Sequence, residues 1–244
     1  MESKRPDPVE TAAKALRLFY PGALGGFAAG SVLRGEGTPT SDIDIAVMFD
    51  ESFEDVHRDS KTVDGWPIEF FVHNPKAQLH FFERDRKRGM CVMPSIIGHG
   101  VMIPSENDRL REAQERALTV IAAGPEPLST EETALRRYVI TDLLDDLVGA
   151  QALTVRHAIL CELYPRVGDF HLRAALAWSG VGKALNRCLH RHDNAWAASF
   201  ETAFAKAFAG DIDDVVSLVG QALAPYGGLL REGYRAQATD EWRK

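Results

Sequence analysis

An α+β protein in two parts, a mixed sheet with flanking helices followed by a helical bundle, is what the sequence predicts. Strand-like runs rich in β-branched and aromatic residues, closed by Gly and Pro signals, are confined to about the first hundred residues. From about residue 105 apolar residues recur at helical spacing with few β-rich runs. Between the two patterns lies AAGPEPLST, near 122–130, the best linker candidate, which divides the chain into 1–122 and 123–244.

PVETAAKALRLFYPG has helical periodicity and stops at Pro-Gly. ALGGFAAGS is short and apolar and breaks at Gly30-Ser31, as a buried strand feeding a turn does. VLRGEGTPT reads as a loop with room for one helical turn, and DIDIAVMF as the next strand. Residues 51–64 are charged and irregular, a connection carrying a short edge strand such as RDSKTVDG. WPIEFFVHN is a strand closed by Asn74-Pro75, PKAQLHFFERDRKRG a helix with Pro in its first turn, and VMIP a last short strand. SENDRLREAQERALTVIAAG is one helix, and PEPLSTEETALRRYVITDLLDDLVGAQ begins another behind Ser129-x-x-Glu132, a capping signature. Separate helices are expected in VRHAILCELY, FHLRAALAWSG, VGKALNRCLHRH, NAWAASFETAFAKAFAG and IDDVVSLVGQALA, making this half a bundle.

Composition narrows the function classes. The 244 residues are 45% hydrophobic and 26% charged, ordinary for a globular protein. No apolar run approaches the roughly 18–20 residues that cross a bilayer, and MESKRPDPVE is not signal-like, so no membrane partner and a cytoplasmic location are expected. Cys91, Cys161 and Cys188 are odd in number and far apart, the pattern of free thiols. Net charge is −7, and acidic residues outnumber basic ones on both sides of residue 104. A long nucleic acid needs a basic footprint, which is absent; a cationic small molecule or a metal-bound nucleotide remains compatible.

The chemistry concentrates in GFAAGSVLRGEGTPTSDIDIAVMFD, residues 26–50. Side chains alternate along a strand, so Asp42 and Asp44 share a face about 7 Å apart while Ile43 and Ile45 take the other. Two like charges on a half-buried strand repel and lose hydration, and a divalent cation such as Mg²⁺ removes both penalties. Glu69, flanked by Ile68 and Phe70 in the next convincing strand, can reach the same face from a neighbouring position. Three carboxylates so placed make a site for one or two metal ions, with one of them free to act as general base. A Gly30-Ser31 turn can hold phosphate oxygens on its amides and hydroxyl, and Ser41 adds another hydroxyl beside Asp42.

Gly30-Ser31, then Asp42-x-Asp44, then Glu69, resembles the nucleotidyltransferase superfamily with the DNA polymerase β-like fold. Length and the helical second half look most like the antibiotic nucleotidyltransferases that adenylylate aminoglycosides; the motifs themselves span about residues 24–73. The resemblance implies that Asp42 and Asp44 bind Mg²⁺, with two ions expected, that Gly30 and Ser31 bind a triphosphate, ATP, and that Glu69 binds metal or takes the acceptor's proton. It also implies a Lys or Arg from the helical half on the triphosphate: Lys183, with Arg187 as second candidate. The implied reaction is attack of an acceptor hydroxyl on the α-phosphate with pyrophosphate leaving.

Asp142, Asp145 and Asp146 lie at i, i+3 and i+4 on one helix face, opposite Ile140, Leu143, Leu144 and Leu147. Such a face is either solvated or a binding surface for a cationic small-molecule acceptor. His190-x-His192 has poor spacing for a metal pair on a helix, and the aromatic residues of AWAASFETAFAKAF fall at core spacing. Two other readings stand beside small-molecule transfer: AMP transfer to a protein target by a regulatory or antitoxin-like enzyme, and a nucleotide-binding protein without catalysis. The intact trio Asp42, Asp44 and Glu69 counts against the last. Oligomeric state is left open.

Overall fold

A computed structural model describes residues 5–237. These fold as two compact units, one ending at Gly124 and one beginning at Pro125.

The first unit is built from α1 (Pro8–Phe19), β1 (Gly25–Ala29), β2 (Ile43–Met48), β3 (His57–Val63), β4 (Trp66–His73), α2 (Pro75–Arg88), α3 (Met93–His99), β5 (Val101–Ile103) and α4 (Asp108–Ala123). Its five strands form one sheet in the order β3-β4-β2-β1-β5. Only β2 and β4 run parallel; the other neighbours are antiparallel. Alternation sends Ile43, Ile45 and Val47 of β2, with Ile68, Phe70 and Val72 of β4, to a core shared with Ala12, Ala15 and Leu16 of α1. The opposite face, with Phe27, Ala46 and Met48, packs on Phe82 of α2, Ile96 and Ile97 of α3, and Leu110 and Ala113 of α4. The sheet is therefore covered on both faces, which is why its central strands read as nearly continuous apolar runs.

Local signals account for most boundaries. Asp7 caps α1 by accepting from the amides of Val9 and Glu10, and Asn74 caps α2 by accepting from Ala77. The α2 helix ends at Gly89 in the left-handed conformation. Asp64 and Gly65, both at positive φ, make the tight turn of the β3–β4 hairpin. The loop after β1 does contain a helical turn, Val32–Arg34. The short α3 has no periodic signal; Gly98 lets it press on α4, where an added Cβ would lie 2.8 Å from the Ile121 side chain.

In the second unit α5 (Thr130–Gly149), α6 (Leu153–Ala174), α7 (Lys183–His192), α8 (Asn194–Phe208) and α9 (Asp213–Leu223) enclose a core that includes Leu144, Leu147, Leu163, Phe170, Phe200 and Phe204. The capping box at Ser129 and Glu132 is complete, with the backbone amide of each donating to the other's side chain. The two helices expected at VRHAILCELY and FHLRAALAWSG are corrected to one, α6, which carries Pro165 inside and stops at Ala174. Pro165 and Cys161 are both exposed, so the carbonyl that loses its partner amide faces water rather than the core. No described helix is long and apolar enough to cross a membrane.

Candidate active site

Two strands and one turn bring the chemistry together. In the parallel β2–β4 register Asp44 stands opposite Glu69, so both side chains emerge on the face that Ala46 and Met48 continue into the core. At this end of the sheet the helices no longer cover that face: Asp42 is exposed and Asp44 and Glu69 are half-buried. One carboxylate oxygen from each of Asp42, Asp44 and Glu69 lies within 4.8 Å of the others. The carboxylates thus occupy an apolar strand because its other positions fill two cores while its exposed end serves as a rigid mount.

The Gly30-Ser31 turn packs directly on this mount. β1 pairs with β2 up to Ala29 opposite Asp44, and Gly30 follows with φ of 115°. An added Cβ there would sit 3.0 Å from the Asp42 carbonyl oxygen and 3.6 Å from Asp44 Oδ2, so only glycine fits without strain. Ser31 is buried and donates to Ser41 Oγ at 3.0 Å, and the Thr38 amide donates to the same oxygen at 2.8 Å. Ser41 therefore ties both ends of the glycine-rich loop together immediately before Asp42.

Electrostatically the trio is only partly balanced by positive charge. Burial, then the neighbouring charges of Asp42 and Glu69, push the Asp44 carboxyl up to about 6, while Arg58 and Arg34 pull it down. Arg58 on β3 forms an ion pair with Glu69 and lies over the Phe71 ring at 4.9 Å. His73, further along the same face of β4, is buried and driven down to about 4, chiefly by burial, so it adds no cation at neutral pH. A set of hard oxygen donors, one of them held toward its protonated form by burial and by its neighbours' charge, fits a divalent cation. An open depression of about 470 Å³ lined by Asp42, Ser60, Lys61, Pro67 and Glu69 adjoins the trio.

Arg34 and Arg58 are charges in this site that spacing in the sequence does not reveal. Arg34 sits in the turn after Ser31 and is 3.4 Å from Glu36. Alternation along RDSKTV, anchored on the Asp-Gly turn, is the one signal that could have placed Arg58 on the carboxylate face. The remaining expected residues lie in the second unit. Lys183 is exposed at the start of α7. Asp142 and Asp145 of α5 are bridged by Arg231, at 3.1 and 2.8 Å, and Asp146 is exposed.

Residues 11–92 match the family model described as "Nucleotidyltransferase domain", a span that contains β1 to β4, the glycine turn and all three carboxylates. The chain carries a domain of the nucleotidyltransferase superfamily and is an enzyme of nucleotidyl transfer, with a nucleoside triphosphate as substrate. No curated protein matches it. Among solved structures, a nucleotidyltransferase-like protein from Exiguobacterium sibiricum 255-15 is similar at 10% identity and a TM-score of 0.43, over 89% of this chain and 77% of that one.

Proposed function

We propose that the protein, using Mg²⁺, transfers AMP from ATP to a hydroxyl group of a small molecule and releases pyrophosphate. The observation that carries this is the convergence of Asp42, Asp44 and Glu69 within 4.8 Å on the exposed end of a sheet. Metal ions held there, two in our reading, would supply charge neutralisation at the α-phosphate and orientation of the attacking oxygen. Asp42 and Asp44 are the primary ligands. Glu69 either completes the metal site or accepts the acceptor's proton. Gly30 gives the phosphates close access to the backbone, and the Ser31 and Ser41 hydroxyls, already linked to each other, are positioned to accompany them. Lys183 is the cation we assign to the triphosphate from the second unit.

For the acceptor, the acidic balance of the chain favours a cationic molecule over nucleic acid. Asp142, Asp145 and Asp146 are our candidate acceptor surface; the Arg231 bridge supports the ability of Asp142 and Asp145 to bind a guanidinium or ammonium group, and an aminoglycoside-like antibiotic would supply ammonium groups. The test is incubation of the protein with each labelled triphosphate, Mg²⁺ and a panel of hydroxylated small molecules and candidate proteins, read by mass. A gain of one nucleoside monophosphate on a small molecule is expected. A gain only on a protein would replace the acceptor class, and no gain anywhere would remove the reading.

A further inference from the structure

The trio of carboxylates already has a cation of its own. Arg58 and Ser60 lie opposite Phe71 and Glu69 in the β3–β4 ladder, so the Arg58 side chain rises on the same face as Asp44. Its guanidinium pairs with Glu69 and rests on the Phe71 ring, yet the side chain is 62% exposed. β3 is an edge strand with one side open, so the arm can turn outward along the sheet without disturbing the core.

We propose that Arg58 is a reversible counter-ion of the metal site, pairing with Glu69 in the nucleotide-free protein and turning to the phosphates when the metal–nucleotide complex arrives. This rests on the function proposed above and adds a positioning and gating role for a residue on a different strand. The electrostatic logic is exchange. Arg58 offsets part of the trio's negative charge, so a divalent cation entering alone must compete with a guanidinium for Glu69 and is repelled by it. A nucleotide bound to the metal offers the displaced guanidinium a second anion, and arginine's planar fork suits phosphate as well as carboxylate. Metal alone is therefore bound weakly and metal with nucleotide strongly, so that the site fills when substrate is present.

One substitution moves the two affinities in opposite directions. Arg58→Gln is expected to bind Mn²⁺ alone about fivefold more tightly than wild type, the order expected for losing a half-exposed ion pair. It is also expected to bind a non-hydrolysable ATP analogue with Mn²⁺ about tenfold more weakly, as loss of a charge-assisted contact would cause. Arg58→Lys, which keeps the charge, should stay near wild type for Mn²⁺ alone. Free Mn²⁺ counted by electron paramagnetic resonance reads the first quantity and calorimetry the second, with thermal melting to show that the fold persists. Unchanged or weaker Mn²⁺ binding by Arg58→Gln overturns the proposal, as does unchanged nucleotide affinity. If wild type binds Mn²⁺ with the analogue and only the Arg58 effects are missing, the function stands without the gate; if wild type binds Mn²⁺ neither alone nor with the analogue, both fall.

Discussion

Asp44 is the residue on which the site's energetics turn. Its folded-state pKa of about 6, against an ordinary 3.8, means that the folded protein holds this proton more tightly than the unfolded chain does. Stability therefore falls as pH rises from about 4 to about 6, and the whole deficit is present above 6. Two pKa units correspond to about 3 kcal/mol, an upper bound for a half-buried group. Asp44→Asn, measured by denaturant unfolding in chelator, is expected to be more stable than wild type above pH 6 by up to that amount, with the gain vanishing below pH 4. An equal stability of the two proteins at pH 8 would show that the trio carries no such frustration. Asp42, Asp44 and Glu69 were legible in the sequence because strand alternation and carboxylate chemistry act locally. Arg58 was not, because its place depends on how β3 registers against β4.

Among the elements, the loop between β1 and β2 depends on backbone geometry at Gly30. Gly30→Ala puts a Cβ at 3.0 Å from the Asp42 carbonyl at a φ of 115°, and is expected to cost about 1–3 kcal/mol and to weaken nucleotide binding at least tenfold. Gly35 in the same loop also has positive φ, 75°, but nothing lies within 4 Å of an added Cβ. Gly35→Ala should therefore cost only about 1 kcal/mol and leave nucleotide affinity intact. Calorimetric titration of both variants with the ATP analogue and Mn²⁺ separates the two; equal losses would mean that strain alone, not the approach to Asp42, governs the loop. Elements with caps or alternation, such as β2, α2 and the start of α5, were readable from their residues. The two helices expected at VRHAILCELY and FHLRAALAWSG are one because the hydrogen bond that Pro165 removes falls on an exposed face of α6, and α3 was silent because seven residues with Pro94 and Gly98 carry no period.

For the molecule as a whole, the change from strand-rich to helical sequence marks the passage from a sheet-based unit to a helical one, and the carboxylate trio lies wholly within the first. That much was legible because each unit buries its own core with its own periodicity. The acidic face of α5 was less so: Asp142 and Asp145 read as a bare acidic pair, whereas Arg231, far along the chain, bridges them. Metal-dependent pyrophosphate release by wild type and Asp44→Asn, with ATP and the pooled acceptor panel at a pH near 8 where Asp44 is ionised, decides whether the carboxylate trio is catalytic. Wild type should release pyrophosphate only when Mg²⁺ or Mn²⁺ is present, and Asp44→Asn, folded by the criterion of its thermal melt, should lose at least about a hundredfold of that rate, the scale on which removing one electrostatic stabiliser of the transition state acts. A folded Asp44→Asn protein turning over at the wild-type rate would contradict the account.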